Sequence, residues 1–176
     1  MAACRDLDEA AFLSKYKHPF LVTEGNETTG NVRAHGGQES TKRYSAGVVE
    51  SATPVPAEDS PFVISVDRLN GAKQTTLVTV GRGEDCDIRV VHPLVSKHHA
   101  YFKQDGDLWL LADAGSTNGT FADGVRLEPH KVHKLATGES QAIRFGPAMR
   151  YRYFAARAFF EYVSLRARMK PGAVNG

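Results

Sequence analysis

Between residues 61 and 153 the chain is cut by turn signals at short, regular intervals, and this rhythm restricts its fold more than any other feature. Asp105-Gly106 separates the runs 100–104 and 108–111, and Asp123-Gly124 separates 120–122 from 125–127. Both pairs are hairpin formers, because Asp and Gly accept the left-handed backbone that a tight turn between twisted strands demands. Further strand-length runs lie at 62–66, 75–80, 87–91, 132–135, 141–145 and 149–153. They do not alternate with helical patterns of about 10–15 residues, which removes the doubly wound parallel folds that bind nucleotides. An all-β sandwich is the expected architecture, with short helical extensions at both ends.

The flanks carry other patterns. Over 6–17, Asp6 and Glu9 form an Asp-x-x-Glu helix start, Ala10, Ala11, Phe12 and Leu13 continue it, and His18-Pro19 stops it. Phe20-Leu21-Val22 fits either a strand or a plug on the domain surface. From 24 to 60 the chain turns to Gly, Ser, Thr, Asn and Glu, and only Val48-Val49 looks buried, which predicts a flexible linker. At the other end Ala155, Ala158, Phe159, Tyr162, Leu165 and Met169 recur at helical spacing, with Arg157, Glu161, Ser164 and Arg168 opposite and Pro171-Gly172 as the stop. The chain thus divides into an N-terminal arm with a short helix (1–23), a linker (24–60), the sandwich (61–153) and a basic amphipathic helix with tail (154–176).

Charge and cysteine content exclude several classes of function. A net charge of +2 over 176 residues is too small to indicate nucleic acid or membrane. The basic residues gather late: Arg150, Arg152, Arg157, Arg166, Arg168 and Lys170 face Glu161 alone. Cys4 and Cys86 cannot build a disulfide framework or a cysteine-based zinc site. The N-terminus meets acidic residues at once, without an apolar leader, and no apolar run approaches the roughly 18 residues that span a bilayer. A cytoplasmic protein is expected.

Three blocks carry the chemistry: Gly81-Arg82, then Ser96-Lys97-His98-His99-Ala100, then Gly115-Ser116-Thr117-Asn118-Gly119-Thr120 with Asp113 just before it. In this order, with a hairpin between the second and third, they resemble the forkhead-associated (FHA) domain, a reader of phosphothreonine peptides. The resemblance covers about residues 60–153 and implies an FHA-type β-sandwich that binds a phosphothreonine-containing protein or peptide in a Ser/Thr-kinase pathway. Phosphothreonine brings a charge of about −1.5 to −2 and three strong acceptor oxygens, so a reader needs a fixed cation and several short donors. Arg82 suits the cation, because its planar fork makes two parallel charge-assisted bonds to phosphate. Ser96 and Thr117 offer hydroxyls, and Lys97, where the family often has Arg, adds a less directional charge. Asn118 matches the family residue that clamps the ligand's main chain, a task suited to a carboxamide.

The supporting residues are Gly81 and Gly119 as turn formers, Asp113 as a loop cap, and His99, which in the family braces the binding loops from within. Ala122-Asp123-Gly124 replaces the family's usual Val-Asn-Gly, a local change. In the linker, Glu27-Thr28-Thr29-Gly30 and Val32-Arg33-Ala34 resemble a segment of small actinobacterial FHA regulators of 2-oxoglutarate metabolism, although Gly30 and Asn31 depart from it. That resemblance makes Thr28 and Thr29 candidate phosphorylation sites and implies a domain that folds back on its own tail.

Rival readings have weaker support. Ser96, His99 and Asp113 could be cast as a hydrolytic triad, but no Gly-x-Ser-x-Gly elbow exists, so no enzyme is expected. No Walker A loop is present. His92, His98, His99, His130 and His133 are numerous, with His130-x-x-His133 at chelating distance in sequence, yet without nearby Cys or carboxylates at ligand spacing no metal or other cofactor is expected. A scaffold acting through the basic C-terminal helix stays open, while nucleic acid and membrane are not expected partners.

Overall fold

The structure is a computed structural model and describes residues 8–24, 31–34, 62–67 and 77–169. Cys4, Asp6, Thr28, Thr29, the loop at Leu69-Asn70-Gly71, most of the expected linker and Pro171-Gly172 lie outside the described residues.

The fold is a β-sandwich of two six-stranded sheets. Its strands are β1 (Phe20–Thr23), β2 (Asn31–Ala34), β3 (Val63–Ser65), β4 (Leu77–Gly81), β5 (Ile88–Val91), β6 (Ala100–Asp105), β7 (Leu108–Asp113), β8 (Thr120–Ala122), β9 (Val125–Arg126), β10 (His133–Lys134), β11 (Gln141–Phe145) and β12 (Met149–Phe154). Helices α1 (Glu9–Lys15) and α2 (Ala156–Met169) flank them. One sheet runs β3-β1-β12-β11-β8-β9 and the other β10-β7-β6-β4-β5-β2. Inward residues alternate along the strands, as in β11, where Gln141, Ile143 and Phe145 are buried between half-exposed Ala142 and Arg144. Between the sheets pack Val78, Val80, Phe102, Leu111, Ile143, Phe145, Tyr151 and Tyr153.

The N-terminal segment is part of the sandwich. β1 pairs with β12 on one side and β3 on the other, Leu21 opposite both Tyr153 and Ile64. Phe20-Leu21-Val22 shows no polar alternation because both its faces are covered. Leu21 enters the inter-sheet core, while Phe20 and Val22 join Phe12, Phe154, Ala158, Phe159 and Val163 in a second cluster under the helices. Helix α1 starts two residues later than the Asp6 signal suggested, since the Asp8 carboxylate accepts from Ala11 N at 2.7 Å. Helix α2 buries Ala158, Phe159 and Val163, but Leu165, assigned to its apolar stripe, is 58% exposed. The helix outruns its support at that point.

A second difference falls within the expected linker. There β2 pairs antiparallel with β5, Asn31 opposite Val91 and Ala34 opposite Ile88, and forms the edge of the second sheet. The first hairpin loop is Gly106-Asp107, one residue later than expected, with Gly106 at φ 59. The second follows the sequence, with Asp123 and Gly124 both at positive φ.

Candidate functional site

Three loops converge at one end of the sandwich, and backbone bonds set their spacing. Arg82 N donates to Ser96 O at 2.9 Å and Gly83 N to Lys97 O at 3.0 Å, so the loop leaving β4 lies directly on the loop between β5 and β6. Gly81 permits this approach: a Cβ built there would stand 2.0 Å from the Lys97 carbonyl oxygen. The need for glycine at 81 is thus a close backbone contact rather than the turn geometry expected. The loop between β7 and β8 joins the pair through Thr117 N, which donates to Ser96 Oγ at 3.1 Å, and Asn118 Nδ2, which donates to Leu94 O at 2.8 Å. Gly146, in the turn between β11 and β12, donates its N–H to Gly119 O at 2.9 Å.

Two buried polar residues hold this arrangement from below. His99 is fully buried; its Nδ1 accepts from Ser96 N at 3.1 Å and its Nε2–H donates to Gly119 O at 3.1 Å. Burial holds its pKa below the ordinary 6.5 against the opposing pull of Gly119 and Asp113, so the ring is neutral at physiological pH. One imidazole therefore ties two of the loops together. Asp113 is also buried. Its Oδ1 accepts from Gly115 N and Ser116 N at 2.9 and 2.8 Å, and its Oδ2 from Ser116 Oγ and Thr120 Oγ1 at 2.6 and 2.7 Å. Burial raises its pKa, but these donors outweigh that effect and hold it below 3.8. Ser116 Oγ in turn accepts from Gly119 N at 2.9 Å, and Gly119 itself sits at φ 80.

On this frame stand the predicted ligand residues. Arg82 is exposed, and its guanidinium has no partner among the described residues. Lys97 is exposed beside it. Ser96 and Thr117 are adjacent, Ser96 Oγ lying 3.5 Å from Thr117 Oγ1. Asn118 keeps its side-chain oxygen clear of the bond to Leu94. The sequence reading missed Ser116 and Thr120 as supports of Asp113, although both lie within the hexapeptide, and Leu94 and Gly146, which carried no local signal.

The triad geometry is absent: His99 faces the backbone N–H of Ser96 rather than its hydroxyl, and the Asp113 carboxylate is occupied by Ser116 and Thr120. Among the described residues, no three of the five histidines form a common group of ligand atoms. Gln141 Nε2 approaches His133 Nε2 at 3.3 Å. His98 instead joins Asp85 and Cys86, the three offering ligand atoms within 4.8 Å of one another. Cys86 is buried with its Sγ–H on Lys97 O at 3.1 Å, and burial together with Asp85 and Asp87 pushes the thiol up to about 11. It is a protonated thiol at neutral pH.

The FHA domain model matches residues 78–146. Over 121 residues the chain is 31% identical to the oxoglutarate dehydrogenase inhibitor of Corynebacterium jeikeium, covering 64% of this chain and 79% of that protein. Over 78 residues it is 35% identical to the ABC transporter ATP-binding/permease protein Rv1747 of Mycobacterium tuberculosis, covering 42% of this chain but only 9% of that protein. Among solved structures, the N-terminal FHA domain of S. cerevisiae Rad53p in complex with a phosphothreonine peptide matches 49% of this chain and 73% of that one, at 25% identity and a TM-score of 0.42. No helix among the described residues is long and apolar enough to cross a membrane.

Proposed function

Because the chain belongs to the family of FHA-domain proteins, we propose that it reads phosphothreonine in a partner protein and serves as a reversible contact in Ser/Thr-kinase signalling. FHA domains are interaction modules. The observation that carries the reading is the Arg82 guanidinium, without a partner among the described residues, at the mouth of three loops, with the Ser96 and Thr117 hydroxyls beside it. Arg82 takes two phosphate oxygens, Ser96 and Thr117 donate to the third, and Lys97 adds charge. Asn118 holds the peptide backbone. Gly81, His99 and Gly119 keep the loops in place, so the donors are preorganised and little ordering cost falls on binding.

Bonds to a charged phosphate contribute roughly 1.5–3 kcal/mol each. After an association cost of about 4–15 kcal/mol, what remains of four or five of them spans a wide range that includes a net near −8 kcal/mol, which is about micromolar binding. Arg82→Ala should reduce affinity for a phosphothreonine peptide at least about a hundredfold, the cost of a lost bidentate ion pair to a doubly charged group. Its thermal midpoint should stay unchanged because the side chain is exposed. A peptide with Glu in place of phosphothreonine should not bind, since a planar carboxylate cannot meet Arg82, Ser96 and Thr117 together. Titration calorimetry measures both. Wild-type affinity in Arg82→Ala would remove the site assignment.

A second reading, an internally switched regulator of an enzyme, is favoured by the match to 79% of the oxoglutarate dehydrogenase inhibitor. The strand β2 agrees with it. Asn31, two residues after Thr29, pairs with Val91, the last residue of β5 before the loop that carries Ser96.

A further inference from the structure

Outside the three loops, the first sheet carries a row of positive charge with no carboxylate partner among the described residues. Arg126 on β9 stands opposite Phe121 on β8, Phe121 opposite Arg144 on β11, and Arg144 opposite Arg150 on β12. Residues directly opposite on antiparallel strands share a face. Here it is the outer one, because the neighbours Thr120, Ala122, Ile143, Phe145, Met149 and Tyr151 are buried. The Arg144 guanidinium stacks 3.7 Å above the Phe121 ring and donates to Gly146 O at 3.2 Å. Arg126 lies against the hexapeptide loop: a Cβ on Gly119 would come within 2.6 Å of its Nε. The row therefore starts beside Asn118-Gly119 and crosses four strands at the end of the sheet that carries the Gly146 turn.

None of these three arginines has a carboxylate partner among the described residues, whereas Arg89 and Arg152 each have one and Arg157 has two. The carboxylates that border the row are occupied. Asp123 accepts from Gln141 Nε2 and Ala142 N at 2.8 and 2.9 Å, and Glu24 is paired with Arg152. Placing Arg144 directly opposite Arg150 costs stability, since like charges across a ladder repel. The aromatic platform under Arg144 holds its fork flat and partly desolvated, ready for a bidentate carboxylate.

We propose that this row is a second binding track, which takes acidic residues flanking the phosphothreonine on the same ligand. The proposal rests on the phosphothreonine reading for the anchor and extends it to the flank. Continuity with the loop site and complementary charge select an acidic peptide segment as the occupant. Three strand spacings of about 4.8 Å give a track of about 14 Å, the reach of roughly four extended residues.

The test uses the full chain and phosphothreonine peptides carrying four Glu residues on the N-terminal or the C-terminal side, against the same peptides with Gln. At about 50 mM salt the Glu flank on one side should tighten binding about fivefold to tenfold, an effect lost near 0.5 M salt. Arg144→Gln with Arg150→Gln should abolish that gain and leave the Gln-flanked affinity within about twofold of wild type. The proposal is overturned if neither Glu flank improves binding, if the double variant keeps the gain, or if it weakens both peptides equally. Duplex DNA is the competing ligand, and binding through Arg144 and Arg150 tighter than that of the acidic peptide would also overturn it. Unphosphorylated Glu peptides separate the two readings. A charge gain that depends on Arg144 and Arg150 but not on phosphate would keep the track and remove the phosphothreonine reader. Phosphate-dependent binding indifferent to the flank would do the reverse.

Discussion

Asp113 keeps its charge in a buried position because four donors converge on it, two from backbone and two from hydroxyls. His99 stays neutral because burial disfavours its charged form, against the raising pull of Gly119 O and Asp113, while its two ring nitrogens are matched as one acceptor and one donor. Both groups have folded pKa values below their ordinary ones, so the unfolded chain binds more protons as pH falls. The His99 contribution is complete above 6.5 and is lost as pH falls from there through the folded value. The Asp113 contribution is complete above 3.8 and is lost below it. Thermal midpoints should therefore fall on acidification below about pH 6.5 and again below about pH 4. In His99→Gln the first decline should shrink. Asp113→Ala should lose about 3 kcal/mol or more, since it strands buried donors, and should flatten the second. A midpoint that held steady from pH 7 to pH 3 would contradict both assignments.

Strands and helices differ in how far they depend on distant parts of the chain. The hairpin of β8 and β9 is set by Asp123 and Gly124, whose positive φ values its turn needs. The strand β1 depends on two partners far away in sequence, β12 and β3, and on the α1–α2 pair above it. Phe12 of α1 sits within 4.7 to 6.4 Å of the rings of Tyr16, Phe20, Phe159 and Phe160. A chain starting at residue 61 would open unpaired edges on β3 and β12 and uncover Phe154 and Phe159. Such a fragment should show no cooperative thermal transition and poor amide dispersion in NMR. A cooperative unfolding curve at the full-length midpoint would mean that β1 is dispensable.

For the molecule as a whole, the proposed internal switch depends on the path from Thr28 and Thr29 to Arg82. β2 fixes the near end of that path, because Asn31 is held at the loop end of β5. A tethered phosphothreonine would act at roughly millimolar effective concentration, enough to fill a micromolar site. Protein phosphorylated by a Ser/Thr kinase should therefore lose about a hundredfold or more in affinity for an external phosphopeptide. Thr28→Ala with Thr29→Ala should restore that affinity under the same treatment. Equal binding by the phosphorylated and unmodified forms would end the switch proposal and leave the reader intact.

The sequence alone determined the β-sandwich class, the second hairpin turn, the short terminal helices and the three blocks of the loop site. Each of these is local: a period of two, a required sign of φ, or donor types a few residues apart. Tertiary structure decided where distant segments meet. Phe20-Leu21-Val22 became a central strand because both its faces found cover. Residues 31–34 became an edge strand through backbone bonds to β5, which leave no mark on side-chain pattern. Leu165 fits the helical period yet is exposed, since burial depends on where the support beneath α2 ends. The arginine row exists only in the register of four strands, because Arg126, Arg144 and Arg150 are neighbours only after three separate pairings have formed.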